Sequence, residues 1–362
     1  MFNDIYSGKR VLVTGHTGFK GSWLCAWLNM LGAEVCGLSL AMDTEFVHHE
    51  LLKTPMLSQL CDTRDKEKTA QIIQDFQPDA VFHLAAQPIV RYSYDHPVET
   101  FAANVMGTVN VLEACRHTES VKAVVAISSD KCYENREQLT GYKEDDAMGG
   151  YDPYSASKGC TELVISSYRR SFFNCGDYNV KHSTLLASGR AGNVVGGGDW
   201  AQDRLVPDIM RAAAKGTAAI IRNPRSCRPW QHVLEPLSGY LLLGERLLKG
   251  DVSAAQGWNF GPKDDGVVDV EQASELLRRE WSAVNIKIDP PKDQPHEAGM
   301  LRLDCSKAEK FLGWHGVLSL QETFEMTAAW YREFYISKSV ITAKQIDGYI
   351  NKAVMRGLSW TK

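Results

Sequence analysis

The sequence predicts an α/β fold, a doubly wound parallel sheet followed by a smaller mixed α/β domain. Three observations carry this expectation. Through the first 190 residues, short β-branched runs alternate with longer amphipathic stretches. Most of those runs lack polar alternation, as strands covered on both faces do. After Leu186 the pattern breaks into glycine-, arginine- and proline-rich segments. Strands are expected at residues 10–14, 34–40, 80–84, 123–128 and 181–186, and helices at 23–31, 100–116 and 155–173. Repeated strand–helix–strand units close through right-handed crossovers. Residues 189–199 hold five glycines, too many for a stable helix or strand, and are expected as a loop. Further helices are expected at 234–248, 270–281, 306–312 and 320–334. The expected division is 1–188, with a returning segment near 230–258, for the sheet domain, and 189–229 with 259–362 for the smaller one.

Composition narrows the class. A chain of 362 residues with 44% hydrophobic and 23% charged residues is ordinary globular material, not a disordered or coiled-coil one. The net charge of −4 provides no general basic field for nucleic acid, so none is expected as a partner. The apolar runs at 80–84 and 237–243 are far too short to span a membrane. The first ten residues lack the basic-then-apolar layout of a secretion signal. Nine cysteines occur without a C-x-x-C pair, and His48, His49 and Cys61 lack partners at ligand spacing. The expectation is a reduced, cytoplasmic protein with no metal.

Two motifs carry chemistry. The first strand runs into Gly15-His16-Thr17-Gly18-Phe19-Lys20-Gly21, and a helix follows. Gly15 suits a tight turn, Gly18 a close backbone approach to a pyrophosphate, and Gly21 close helix-on-sheet packing, which is the Rossmann arrangement with one extra residue in its spacing. The end of the next strand offers neither a carboxylate for an adenosine ribose nor an arginine for a 2′-phosphate. His16 and Lys20 could reach that ribose or a phosphate, and NAD against NADP stays open on these grounds. Farther on, Tyr154 and Lys158 stand four apart at the start of a helix and so share a face. A free phenol titrates at about 10, and a neighbouring ammonium is expected to lower Tyr154 toward the working range. Ser129, after the fifth strand, is expected as a second donor to the same substrate oxygen.

Taken together, Thr14-Gly15-x-x-Gly18-x-x-Gly21, His83-Leu84-Ala85-Ala86, Asn104, Ser128-Ser129 and Tyr154-x-x-x-Lys158 resemble the extended short-chain dehydrogenase/reductase family. Residues 14–23, 128–133, 190–200 and 228–233 are most similar to its nucleotide-sugar 4,6-dehydratases, above all those acting on CDP-glucose. The likeness runs over residues 8–335 and leaves 336–362 unassigned.

The resemblance implies NAD as cofactor, held by Gly15, His16, Gly18, Phe19, Lys20, Gly21, Asp62, Leu84, Ala85, Ala86, Tyr154 and Lys158, with Asp62 at the adenine. It implies Tyr154 as the base at C4 of the glucosyl unit, Lys158 as its partner and Ser129 on the C4 oxygen. Elimination across C5 and C6 then needs an acid and a base. Asp130 serves as the acid if a dry site keeps it protonated. Relatives place Glu where this chain has Lys131. Either Lys131 is the base at C5, or another group such as Glu134 acts, or Lys131 stabilises the enolate while a water or Tyr154 moves the proton. A direct role for Lys131 is the preferred expectation. Asn193, Arg204 and Arg228 are implied contacts of the nucleotide sugar, with CDP-glucose as the substrate. Trp200 and Trp230 could flank a base or pack in the core, and His232 is expected to be structural. Helices 100–116 and 155–173 are implied to form a bundle across a homodimer or homotetramer. The product would be a 4-keto-6-deoxy sugar nucleotide of the kind that feeds surface polysaccharide synthesis. The competing readings are a 4-epimerase, which needs no acid beside Ser129, and a non-catalytic NAD- or nucleotide-sugar-binding protein.

Overall fold

The computed structural model describes residues 1–138, 140–262, 266–289 and 301–362. The parts of the expected second domain at 263–265 and 290–300 therefore lie outside the described residues. In chain order the first half runs β1 (Arg10–Thr14), α1 (Phe19–Met30), β2 (Glu34–Ser39), α2 (His48–Leu52), β3 (Leu57–Leu60), α3 (Lys66–Phe76) and β4 (Ala80–His83). It continues with α4 (Val90–Asp95), α5 (Pro97–Phe101), α6 (Gly107–Arg116), β5 (Ala123–Ile127), α7 (Pro153–Ser171) and β6 (Leu185–Ala191). The second half holds short strands β7 (Val194–Val195), β8 (Ala219–Ile221), β9 (Cys227–Pro229) and β10 (Gln231–His232), with α8 (Leu205–Ala214) and α9 (Leu234–Leu248). After these come β11 (Gly257–Phe260), β12 (Val267–Asp269), α10 (Val270–Glu280), β13 (Ile286–Ile288), α11 (Leu320–Ser337) and α12 (Thr342–Met355).

The main sheet has seven strands in the order β11-β6-β5-β4-β1-β2-β3. Each pairing is parallel. This is the doubly wound α/β architecture expected from the sequence. Strand order reverses between β1 and β4, and such a switch point opens a crevice at the carboxyl ends of the strands. The two faces are sorted by alternation along each strand. Val11 and Val13 of β1 join the core that holds α1 and α9, whereas Leu12 joins the one under α3, α6 and α7.

Four local expectations shift. The sixth strand begins at Leu185 and runs through Gly189-Arg190-Ala191, so the glycine-rich loop starts later than expected. Gly189 lies in the strand through its pairing with β5 and β11, and glycine stands there because a Cβ would meet the Tyr240 ring at 2.9 Å. The helix expected at 100–116 is divided by a π-helical turn at Ala102–Met106. Strands β3 and β11 have no apolar run to announce them and exist through main-chain pairing with β2 and β6. Residues 336–362 are well packed: α12 lies on α1, Trp360 stacks on Phe2 at 5.2 Å, and the Asn3 amide donates to the Lys362 carbonyl at 2.8 Å. Among the described residues, no helix is long and apolar enough to cross a membrane.

Candidate active site

The ends of β1, β4, β5 and β6 open on a cleft of about 830 Å³. Its floor is the β1–α1 turn. Gly15 has φ +75°, and a Cβ on it would sit 2.9 Å from the Ala85 amide nitrogen. A Cβ on Gly21 would lie 2.1 Å from the Gly15 carbonyl oxygen, so α1 can start this close to the turn only with glycine there. Gly18 precedes the first turn of α1 and, with Phe19, Lys20 and Gly21, faces the cleft. Amide groups at a helix start, brought this near by glycine, suit a phosphate. The Thr14 hydroxyl ties the two central strands together, accepting the Leu84 and Ala85 amides at 3.1 Å each and meeting His83 Nδ1 at 2.7 Å. Leu84, Ala85 and Ala86 consequently line the cleft beside the glycine turn.

His16 departs from the expectation. Its imidazole is fully buried, and a Cβ on Gly37 would come within 2.2 Å of it. Its Nε2 bonds the Ser58 hydroxyl at 2.7 Å, so the ring points under β2 and β3 and does not reach a ribose or phosphate in the cleft. Burial, with His49 adding to it, pulls its pKa down to about 4. Lys20 does face the cleft, and burial, with Arg204 and Lys158 nearby, lowers it to about 8. Asp62 lines the far end of the same cleft and accepts the Arg64 guanidinium at 2.6 and 2.9 Å.

The reactive groups come from two elements. Asp152 caps α7 by accepting the Ser155 amide at 2.9 Å, which places Tyr154 and Lys158 on the first turns, facing the cleft. The π-helical turn presents Asn104, whose amide donates to Ser157 at 2.8 Å and to the Gln87 carbonyl at 3.1 Å. Opposite, after β5, Ser129 accepts the Lys131 amide at 3.2 Å and so starts a short turn over Asp130–Cys132. The Ser129 hydroxyl donates to Asp130 at 2.9 Å. Burial raises the Asp130 carboxyl above its ordinary range, against the opposing pull of Lys131, Ser129 and Lys20.

The electrostatics of Tyr154 also differ from the expectation. Burial pushes its phenol up to about 12, a hydrogen bond with Ser129 lowers it, Asp130 raises it, and the cation that favours its phenolate is Arg204. Lys158 is instead drawn down to about 8 by its own burial. Two groups four apart on a helix share a face, yet both lose their solvent here, and desolvation outweighs their mutual effect.

On the other wall stand Asn193, Arg204 and Arg228. Arg204 is fixed by Asp199 at 2.8 Å. Asn193 is held by its carbonyl, which accepts the Gln231 amide at 3.1 Å. Trp230 edges the cleft with its indole nitrogen donating to the Val268 carbonyl at 3.2 Å. Trp200 packs away from it among Phe46, Trp330 and Phe334. His232 is fully buried against Trp23. The sequence reading missed Arg64, Gln87, Arg222 and Asn223, which also line the cleft. Arg64, two residues from Asp62, was visible as a local ion pair, but nothing near Arg222 marks it. Among the described residues, no cluster of three His, Cys, Asp or Glu is arranged for a metal. The arrangement is a phosphate cradle, a phenol–ammonium pair, a hydroxyl and a buried carboxyl around one cleft.

Comparison with known proteins agrees with this chemistry. The family model described as GDP-mannose 4,6 dehydratase matches residues 12–327. The chain is 48% identical over 352 residues to CDP-glucose 4,6-dehydratase of Salmonella typhimurium, covering 96% of this chain and 98% of that one. It is 24% identical to GDP-mannose 4,6-dehydratase of Vibrio cholerae, over 87% of this chain and 91% of the other. Among solved structures, UDP-glucose 4-epimerase of Thermus thermophilus in complex with NAD superposes with a TM-score of 0.75 at 24% identity, covering 89% of this chain and 99% of that chain.

Proposed function

The chain belongs to the GDP-mannose 4,6 dehydratase family, and from that premise we propose that it is an NAD-dependent hydro-lyase that converts CDP-glucose to CDP-4-keto-6-deoxyglucose. The residues fit a dinucleotide: the glycine turn leaves room that any side chain would fill, and Lys20, Leu84, Ala85, Ala86 and Asp62 line the cleft from the pyrophosphate end to the adenine end. Held by these residues, NAD would supply a hydride acceptor for C4 and a hydride donor for C6.

The chain's own groups handle protons and position. Ser129 holds the C4 oxygen, and Tyr154 receives the hydroxyl proton, its phenolate favoured by the Arg204 charge. Lys158 stands one turn along the same face. With a keto group at C4, the C5 proton becomes acidic. Asp130 donates its proton to the C6 hydroxyl, which leaves as water, while the C5 proton passes to the amine of Lys131 on the same short turn. Asn193, Arg204 and Arg228 hold the diphosphate and nucleoside, for which guanidinium forks are suited. The observation that carries this reading over a 4-epimerase is Asp130: a buried carboxyl, raised by that burial above its ordinary range and set beside Ser129, stands where an acid for the C6 hydroxyl is needed, and epimerisation uses no such acid.

The same reading divides the chain into a cofactor lobe, 1–188 with a returning segment near 230–258, and a nucleotide-sugar lobe. It places the enzyme in the cytoplasm. It further assembles the chain as a homodimer or homotetramer through the helical segments 100–116 and 155–173, where Phe101, Met106 and Leu163 are exposed. The test is mass spectrometry with catalytic NAD on CDP-, dTDP-, UDP- and GDP-sugars in parallel. Loss of one water from CDP-glucose alone supports the reading. An unchanged mass with a scrambled C4 centre means an epimerase, and no change with any sugar means a binding protein.

A further inference from the structure

Behind the catalytic turn lies a buried polar network that the scheme above does not use. Glu162 sits on α7 one helical turn beyond Lys158, and its side chain is 3% exposed. One carboxylate oxygen accepts the Ser128 hydroxyl; the other accepts Ser188 at 2.9 Å and Arg190 at 2.9 Å. Arg190 in turn donates to the Tyr133 hydroxyl at 2.6 Å, and Tyr133 donates to Asn259 at 2.8 Å. One carboxylate thus joins α7, β6 and both ends of the segment Ser128–Tyr133 that carries Ser129, Asp130 and Lys131.

We propose that Glu162 is a positioning residue: through Ser128 it fixes the turn bearing Ser129 and Asp130, and through its charge it keeps Lys158 an ammonium. The proposal rests on the dehydratase reading of this cleft. The groups facing Lys158 leave Glu162 as the anion on which that ammonium depends. Cys132, from the catalytic turn, has a thiol that burial raises well above its ordinary range, so it is neutral. His83, from β4, is neutral because burial lowers it to about 3, and Lys20, from α1, is a cation. Burial works against the charge of Glu162 itself, and Arg190 with Ser128 and Ser188 more than offsets it, so the carboxyl stays ionised. Arg169, from the same helix, is the other cation near it.

The test compares wild type with E162Q, E162D and S128A. Competitive trace acetylation of Lys158 across pH, followed by peptide mass spectrometry, reads the ammonium without turnover. We expect a wild-type midpoint near 8. In E162Q it falls by about half a unit or more, and in E162D and S128A it stays in place. E162Q and S128A each lose ~10-fold in kcat through misplacement of the turn, with KM for CDP-glucose nearly unchanged. Because E162Q leaves Arg190 buried without its partner, E162Q/R190Q removes both charges together and serves if the single variant does not fold. An unmoved labelling midpoint in the charge-removing variant overturns the electrostatic role, and wild-type kcat in S128A overturns the positioning of the turn. A wild type that leaves CDP-glucose unchanged overturns the dehydratase reading, and the labelling midpoint then decides the role of Glu162 alone.

Discussion

The Ser129 hydroxyl donates to the carboxyl of its own neighbour Asp130 at 2.9 Å, and both side chains are buried at the mouth of the sheet. That one contact joins the group proposed for the C4 oxygen to the group proposed for the C6 hydroxyl, so the two proton-handling roles share a single short turn. Burial raises the Asp130 carboxyl above its ordinary range, while Ser129 and the cations Lys131 and Lys20 restrain the shift.

Replacing Asp130 with Asn keeps the size of the side chain and removes the acid. Water loss from CDP-glucose is expected to slow by ~10²-fold or more, the usual contribution of a positioned general acid. The melting temperature should stay within a few degrees of wild type, since the variant buries no new charge. Mass-spectrometric turnover and thermal melts check the two halves, and D130N with undiminished elimination rules Asp130 out as the acid.

The glycine turn gives a graded prediction. A Cβ at Gly21 would lie 2.1 Å from the Gly15 carbonyl oxygen, a backbone atom that cannot swing aside, whereas one at Gly18 would meet the same oxygen at 3.3 Å. Gly21→Ala should therefore displace the start of α1, lowering both stability and NAD affinity, the latter by ~10-fold or more. Gly18→Ala should leave stability nearly unchanged. Calorimetric titration with NAD and thermal melts of the two variants make the comparison.

Glu235 supplies a pH dependence of stability. Its carboxylate accepts the Val317 and Leu318 amides and the Tyr349 hydroxyl, yet burial raises its pKa from 4.5 to about 7. A folded-state pKa above the unfolded one means that stability from this group is complete below about 4.5 and is lost as pH rises through about 7. The loss is about 3 kcal/mol between those limits, an order-of-magnitude figure. Urea unfolding at pH 5 and pH 8 should show that decline in wild type and a flatter dependence in E235Q.

Trp360 closes the chain onto its own beginning. It stacks on Phe2 at 5.2 Å and on Tyr349 at 6.0 Å and meets Trp27 edge-on at 5.9 Å. Trp360→Ala should cost about 3–5 kcal/mol of stability, the usual range for emptying a large aromatic site. Because α1 carries both Trp27 and the glycine turn, NAD affinity should fall with it. Chemical denaturation and NAD titration test both effects.

The sequence by itself determined the doubly wound sheet, the glycine turn and the placing of Tyr154 and Lys158 on one helix face, because each is written locally. Parallel strands covered on both faces read as apolar runs, a phosphate turn needs glycine at set offsets, and a helix start places Tyr154 and Lys158 on one face. Tertiary structure alone decided the rest. It turned His16 under β2, which no local spacing reveals, because Gly37 leaves that space open 21 residues later. It made Arg204, from 50 residues away in the chain, the cation that favours the Tyr154 phenolate, and set the balance of burial against charge that raises Asp130 and lowers Lys158. It also paired β11 with β6 and folded α12 onto α1. Desolvation and main-chain pairing depend on what arrives from distant parts of the chain, so they exist only once the whole chain has packed.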